Sequence, residues 1–336
     1  MILFHSSELR MQHVFTTLIF AFIPLISFAE ELYLSNVEQL TFSLMGFEKA
    51  GEAYFSSDDA AILFQAVPTG QKEYQIYRMD LKERVPILVS TGKGACTCAY
   101  FHPSKQKIIF ASSHSDPNPA TEKEPHIGYK WELTPYMNIY EANPDGTDLK
   151  PLTSGPAYHA ECAYSPDGTK IVYASNESGS MNLYMMNSDG SHVRQLTHTT
   201  NCYNGGPFFS PDGTQVVFRA DREHPDLLQI YLFDLADDSE TQLTNNRAVN
   251  WAPYWYPDGE SIAFTTSLHG HHRYEIYLLH LETGALCRLT DSPGFDGLPV
   301  FSHDGKKLLW TSKRSDDRSC QIFIANFQNP FTENHP

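Results

Sequence analysis

The sequence predicts an all-β chain folded as a six-bladed propeller with four antiparallel strands per blade, and three observations predict it. First, segments beginning at Phe55 (FSSDDAAILF), Phe101 (FHPSKQKIIF), Tyr164 (YSPDGTKIVY), Phe209 (FSPDGTQVVF), Trp255 (WYPDGESIAF) and Phe301 (FSHDGKKLLW) align without gaps at spacings of 46, 63, 45, 46 and 46. Each joins an aromatic anchor to a tight Pro/Asp/Gly-type turn and a β-branched or aromatic run, which is the pattern of a hairpin. Second, a third strand follows in phase: YQIYRMD, MNIYEAN, MNLYMMN, LQIYLFD, YEIYLLH and CQIFIAN. Third, a short strand ending in Ser or Thr recurs at Thr41, Ser90, Thr153, Thr197, Thr244 and Thr290, so that one copy precedes the first hairpin and none follows the last. Six such units make a radial array of small sheets. Helical solenoids are excluded, because the runs alternate with period two and Gly or Pro interrupts them about every ten residues.

Taken in order along the 336 residues, the chain begins with an apolar run at 14–28 that ends in Ser27-Phe28-Ala29, the form of a secretory leader with small residues at −3 and −1. A leader over 1–29 and a single propeller domain over 30–336 are expected. Residues 38–41 should supply the missing outer strand of the sixth blade, closing the ring and leaving no free edge between first and last blade. The second blade is about 18 residues longer than the others; the excess, at about 113–135, lies between its second and third strands and carries His114, His126, Tyr129 and Trp131. Long loops on a rigid scaffold commonly carry binding function, so a cap over the channel mouth is expected.

Composition limits the partners. Forty Asp and Glu against 24 Lys and Arg give a net charge of −16, which disfavours nucleic acid and anionic membrane surfaces. Once the leader is removed, no integral membrane segment is expected. The six cysteines, Cys96, Cys98, Cys162, Cys202, Cys287 and Cys320, show no metal-binding spacing. They read as scattered buried thiols, with a long-range bridge left open for an oxidising compartment.

The SPDGTKIVY and SPDGTQVVF hairpins, followed by LYMMNSDG and RQLT, resemble the repeats of the TolB-type propeller family over roughly residues 37–328. That resemblance implies the propeller without the mixed α/β domain that precedes it in the Tol proteins. It implies no single function, since the same repeat occurs in Tol-system proteins, peptidase-associated propellers and some polysaccharide lyases. Neither a GxSxG nucleophile elbow nor an HExxH motif occurs.

Function is sought where the copies disagree. Five residues before each anchor stand Ala50, Cys96, His159, Asn204, Asn250 and Asp296; three before it stand Glu52, Cys98, Glu161, Gly206, Ala252 and Leu298. In a regular strand these two positions share a face, so the polar members should gather at one mouth of the channel. Ten residues after the anchor, Arg219 replaces Gln65, Ala111, Ala174, Thr265 and Thr311, opposite Gly206. Its fork would suit a carboxylate or phosphate, or else Glu52 and Glu161. Asp167, Asp212, Asp258 and Asp304 read as turn residues. The candidate ligand-binding residues are therefore Glu52, His159, Glu161, Asn204, Arg219, Asn250 and Asp296, with His126 and Trp131 from the inserted loop.

The function expected is that of a periplasmic or secreted, monomeric, non-catalytic binding module receiving a protein, peptide or carbohydrate. No cofactor is required, although the carboxylates would admit a cation in the channel. The alternative is a metal-assisted enzyme at the channel mouth, polysaccharide lyase-like or hydrolytic.

Overall fold

The computed structural model describes residues 31–119 and 133–332. The leader, most of the blade-two insertion, His126 and Trp131 lie outside the described residues. Within them the chain forms six four-stranded antiparallel sheets, each a meander running outward from the axis. The inner strands are Phe47–Phe55, Cys96–Phe101, His159–Tyr164, Asn204–Phe209, Asn250–Trp255 and Asp296–Phe301. Among the described residues no helix is long and apolar enough to cross a membrane.

The repeat motifs explain the blades chemically. In the turn after five of the six anchors a carboxylate takes the place of missing backbone partners, with Ser104 standing there in blade two: Ser165 Oγ donates to Asp167 at 2.6 Å, and the Thr169 N–H donates to the same carboxylate at 2.9 Å. Asp212 and Asp304 repeat the arrangement, as their turn role requires. Nine residues after each anchor an aromatic side chain, Phe64, Phe110, Tyr173, Phe218, Phe264 or Trp310, is at most 1% exposed. Truncating one such ring to alanine costs about 3–5 kcal/mol, so these six positions form the apolar frame between blades.

The recurring Ser/Thr of the outer strand also has a physical task. Its hydroxyl accepts the N–H of a third-strand residue that the short outer strand leaves unpaired, as in Ile76 to Ser90 (2.9 Å), Leu183 to Thr197 (2.8 Å) and Ile276 to Thr290 (2.9 Å). In the same blades the hydroxyl donates to the polar residue beginning the third strand: Gln75, Asn182 and Glu275.

Ring closure follows the offset of the repeats. The N-terminal strand Leu34–Gln39 pairs antiparallel with the last strand Gln321–Phe327, from Leu34 opposite Phe327 to Gln39 opposite Phe323. Thr41, just beyond it, repeats the outer-strand contact by accepting the Ile322 N–H at 2.9 Å. The seam carries an additional clasp. Arg314 donates to Glu31 at 2.9 and 3.2 Å and to Asp296 at 2.7 Å, with all three side chains almost fully buried. Glu31 also accepts the Asp291 N–H at 2.8 Å, which ties the first described residue to the connection between blades five and six.

Removing one member of a buried ion group strands the others in a low-dielectric site. Arg314→Ala should therefore lower unfolding free energy by about 3–5 kcal/mol in urea titration, whereas Glu31→Ala, which leaves the Arg314–Asp296 pair intact, should cost less.

Candidate functional site

All six inner strands contain a β-bulge between the residue four before the anchor and the residue one before it, seen as a break in register at Gly51/Ala53, Thr97/Tyr100, Ala160/Ala163, Gly205/Phe208, Trp251/Tyr254 and Gly297/Val300. The residue three before the anchor takes left-handed φ in every copy, from 47° at Glu52 to 58° at Gly206. An extra residue reverses the alternation of faces. This corrects the expectation that positions −5 and −3 point the same way. Position −3 reaches the axis, and position −5 packs between blades in every copy but the first, where the small Ala50 borders the axial cavity.

Four of the expected site residues are consequently enclosed. Asn204 donates to Met181 O at 2.9 Å and accepts from Arg222 at 2.8 Å. Asn250 donates to Gln229 at 2.9 Å and accepts from Thr266 at 2.7 Å. Asp296 accepts from Trp310 Nε1 at 3.1 Å and belongs to the seam clasp. His159 is buried, edge-on to Tyr173 with ring centroids 6.1 Å apart; burial draws its imidazole pKa below the ordinary value. None of the four lines the axial cavity.

The axis itself is closed at half depth. Tyr54, Tyr100, Phe208 and Tyr254, each one residue before its anchor, meet with ring centroids 5.1–6.2 Å apart. The Tyr100 and Tyr254 hydroxyls, from opposite blades, lie 3.2 Å apart. Instead of a continuous channel the structure has two blind cups. The one at the face where the inner strands begin holds about 380 Å³, and the opposite one about 340 Å³. The paired aromatics YF, FF and YW at the inner-strand ends were the sequence signal for this plug.

Glu52, Glu161 and Arg219 do line the first cup, with Trp251, Tyr74, Tyr158 and Phe295 among its walls. A bulge orphans the N–H of its left-handed residue, and the neighbouring blade supplies an acceptor. Glu52 N–H donates to Thr311 Oγ1 at 3.0 Å, Cys98 N–H to Gln65 at 3.2 Å and Leu298 N–H to Thr265 at 3.0 Å. Ala174 has nothing to offer at the equivalent position, and Glu161 accepts the Gly206 N–H instead. Glu161 also accepts from Tyr203 Oη at 2.6 Å and from Arg219 at 3.1 Å, while Arg219 donates to Tyr203 at 2.9 Å. Both charged side chains of this pair are only 8% exposed. Of the two partners expected for the fork, a ligand anion or the carboxylates of Glu52 and Glu161, Arg219 is engaged with Glu161 inside the protein. Tyr203 was not singled out by sequence, because it stands outside the inner-strand positions compared.

Glu52 is placed differently. Its carboxylate accepts from Tyr54 Oη at 3.3 Å, and among the described residues it has no ion-pair partner. Burial, first of all, raises its pKa above the ordinary value and the nearby Glu161 charge adds to this, while the Cys98 thiol, the Arg219 charge and the Tyr54 hydroxyl oppose it. Burial likewise raises the thiols of Cys98, Cys162 and Cys320 in the same cup, so they stay protonated and are poor nucleophiles. Asp296 stands apart from Glu52 and Glu161, in the seam clasp, and among the described residues no group of three His, Cys, Asp or Glu side chains is placed to hold a metal ion.

The TolB β-propeller domain model matches residues 131–223 and 229–333, more than half of the chain. The chain belongs to the TolB β-propeller family. It is 32% identical over 84 residues to the Tol-Pal system protein TolB of Francisella tularensis subsp. holarctica (strain OSU18), an alignment covering 25% of this chain and only 19% of that relative. Among solved structures, one reported as a TolB from Agrobacterium tumefaciens superposes with a TM-score of 0.61 at 20% identity, over 83% of this chain and 91% of the other. An oligogalacturonate lyase in complex with manganese superposes at 0.53 with 17% identity, over 83% and 77% respectively. At such identities the likeness of these structures to this TolB-family propeller is one of fold.

Two measurements check the site of this TolB-family member. A methyl group at Gly206 would collide with Arg219 Nη1, so Gly206→Ala should destabilise by roughly 2 kcal/mol or more. In an Arg219→Ala background the same change should cost only the left-handed backbone term of about 1 kcal/mol, a non-additivity that a double-mutant cycle reads directly. For Glu52, a native pKa above the unfolded one means that the native state holds more protons between the two values. Stability therefore falls as pH rises through that interval. Glu52→Gln should match wild type below the ordinary carboxylate range and exceed it in melting temperature above the raised value.

Proposed function

We propose that this chain is a non-catalytic binding module that receives part of a protein, peptide or carbohydrate in the cup lined by Glu52, Trp251 and Tyr74. The observation that carries the reading is the aromatic plug: it converts the axis into a blind, partly apolar recess with a carboxylate deep inside it. Recesses of roughly 300–1,000 Å³ with apolar walls and a few fixed polar groups are the common form of a ligand site. The kinship with a Tol-Pal system protein supports an envelope partner, and the leader-like segment at 1–29 supports work in the periplasm or outside the cell. The module is proposed to act as a monomer and to require no cofactor. The engaged Glu161 and the protonated thiols favour this over a metal-assisted or nucleophilic enzyme, and the inserted loop of blade two, whose preceding strand ends with Ser112 opposite Cys96 at the cup face, would add contacts at the rim.

Thr97 lines the cup and is partly exposed there, so Thr97→Trp should fill it and leave the blades intact. Tagged protein incubated with envelope extract should retain a dominant partner, and Thr97→Trp should lose it while keeping the wild-type melting temperature. Equal retention by both proteins would overturn the cup as the contact.

A further inference from the structure

We infer that the cup recognises an organic cation, a primary ammonium or guanidinium on an apolar stem, with Glu52 as its counter-charge and the surrounding aromatic rings as its walls. This rests on the cup being the binding site and names the chemistry it selects.

The inference follows from the balance of charges inside the cup. Among the described residues three charged side chains line it: Glu52, Glu161 and Arg219. Glu161 and Arg219 neutralise each other, and each is held by Tyr203 as well. One negative charge is left over, and it belongs to Glu52: among the described residues its carboxylate is touched by the Tyr54 hydroxyl and the Cys98 thiol, while Arg219 forms its ion pair with Glu161 and acts on Glu52 only from a distance. Glu52 is partly buried in the cup wall, and a carboxylate held there with no cation in contact is disfavoured. A folded protein gains nothing from that arrangement unless something else supplies the cation. An anionic ligand would meet Glu52 head-on, because Arg219 is paired with Glu161.

The walls point to the same class. Trp251, Tyr74, Tyr158, Tyr254 and Phe295 surround the cup, and the faces of such rings attract ammonium and guanidinium groups, more strongly once water is excluded. At the rim the structure already contains an example: Lys49 Nζ lies 4.7 Å from the centroid of Tyr74. A ligand reaching deeper would exchange that rim contact for the Glu52 carboxylate. The net charge of −16 would add long-range attraction for a cation at low salt.

The test uses three probes of nearly equal shape, phenethylammonium, 2-phenylethanol and phenylacetate, titrated into the full chain by ligand-observed NMR. The cation should bind at least about tenfold more tightly than the alcohol, with the anion weakest, and Glu52→Gln should reduce the preference to about twofold or less. Equal binding of the alcohol or the anion, no binding of any probe, or an unchanged preference in Glu52→Gln would overturn the inference. If Glu52→Gln does not fold, Glu52→Asp, which withdraws the carboxylate by one methylene, should weaken the cation selectively. Two further probes separate the sources of the cation: an acetylated, amidated tripeptide with a central lysine, and the same peptide with norleucine. A preference for the lysine peptide over phenethylammonium assigns the site to a partner side chain, and the reverse to a free amine. Partner capture that depends on the cup, with no preference for the cation, would leave the binding-module reading standing and remove this one alone. A Glu52-dependent preference with cup-independent capture would do the opposite.

Discussion

Six inner strands converge on one axis, and the crowding there is relieved in every blade by one extra residue. That bulge governs most of what distinguishes this protein. It forces a left-handed backbone at Glu52, Cys98, Glu161, Gly206, Ala252 and Leu298, a conformation that costs a side-chain-bearing residue about 1–2 kcal/mol. It orphans an N–H, and those of Glu52, Cys98, Gly206 and Leu298 find side-chain acceptors in a neighbouring blade. It also turns the residue at −3 toward the axis and the residue at −5 away from it. The blades are thereby stitched side to side through the positions that define the cup, so scaffold and site are not separable there.

The stitching explains why so much of the polar chemistry near the axis is structural. Thr311, Thr265 and Gln65 are acceptors for bulge N–H groups. Where Ala174 leaves the position empty, Glu161 takes over, and a carboxylate brought that deep requires Arg219 and Tyr203 beside it. Arg219 in turn fits only because residue 206 lacks a Cβ. One missing side chain in blade three is answered by a glycine, a glutamate, a tyrosine and an arginine in blades three and four. Glu52 takes part in the same backbone scheme through its own N–H, but its carboxylate has no equivalent task, and that difference makes it the informative residue of the cup.

Ring closure is a separate problem solved by separate means. Pairing Leu34–Gln39 with Gln321–Phe327 joins strands from opposite ends of the chain, which carries a large loop-closure entropy. The buried Glu31–Arg314–Asp296 group sits at that seam. Such groups add less net stability than their charges suggest, but they penalise any alternative pairing that would leave one charge alone. The seam is thus specified as well as closed.

The sequence by itself determined the number of blades, the strand order, the turn chemistry and the offset closure, because each depends on local periodicity repeated six times in phase. It also placed Arg219 opposite Gly206, since simple hairpin register suffices for that. It could not reveal the bulge, which leaves the spacing of the anchors unchanged while reversing one parity within each strand. Asn204, Asn250, Asp296 and His159 therefore read as mouth residues, and only the folded strands show them bonded between blades. The pairing of Glu161 with Tyr203, the clasp from Glu31 to Arg314 and the four rings that divide the axis into two cups join residues up to 283 positions apart. The paired aromatics at the inner-strand ends point to the plug, but which groups meet across such separations is decided by how six blades come together, and local periodicity does not carry that.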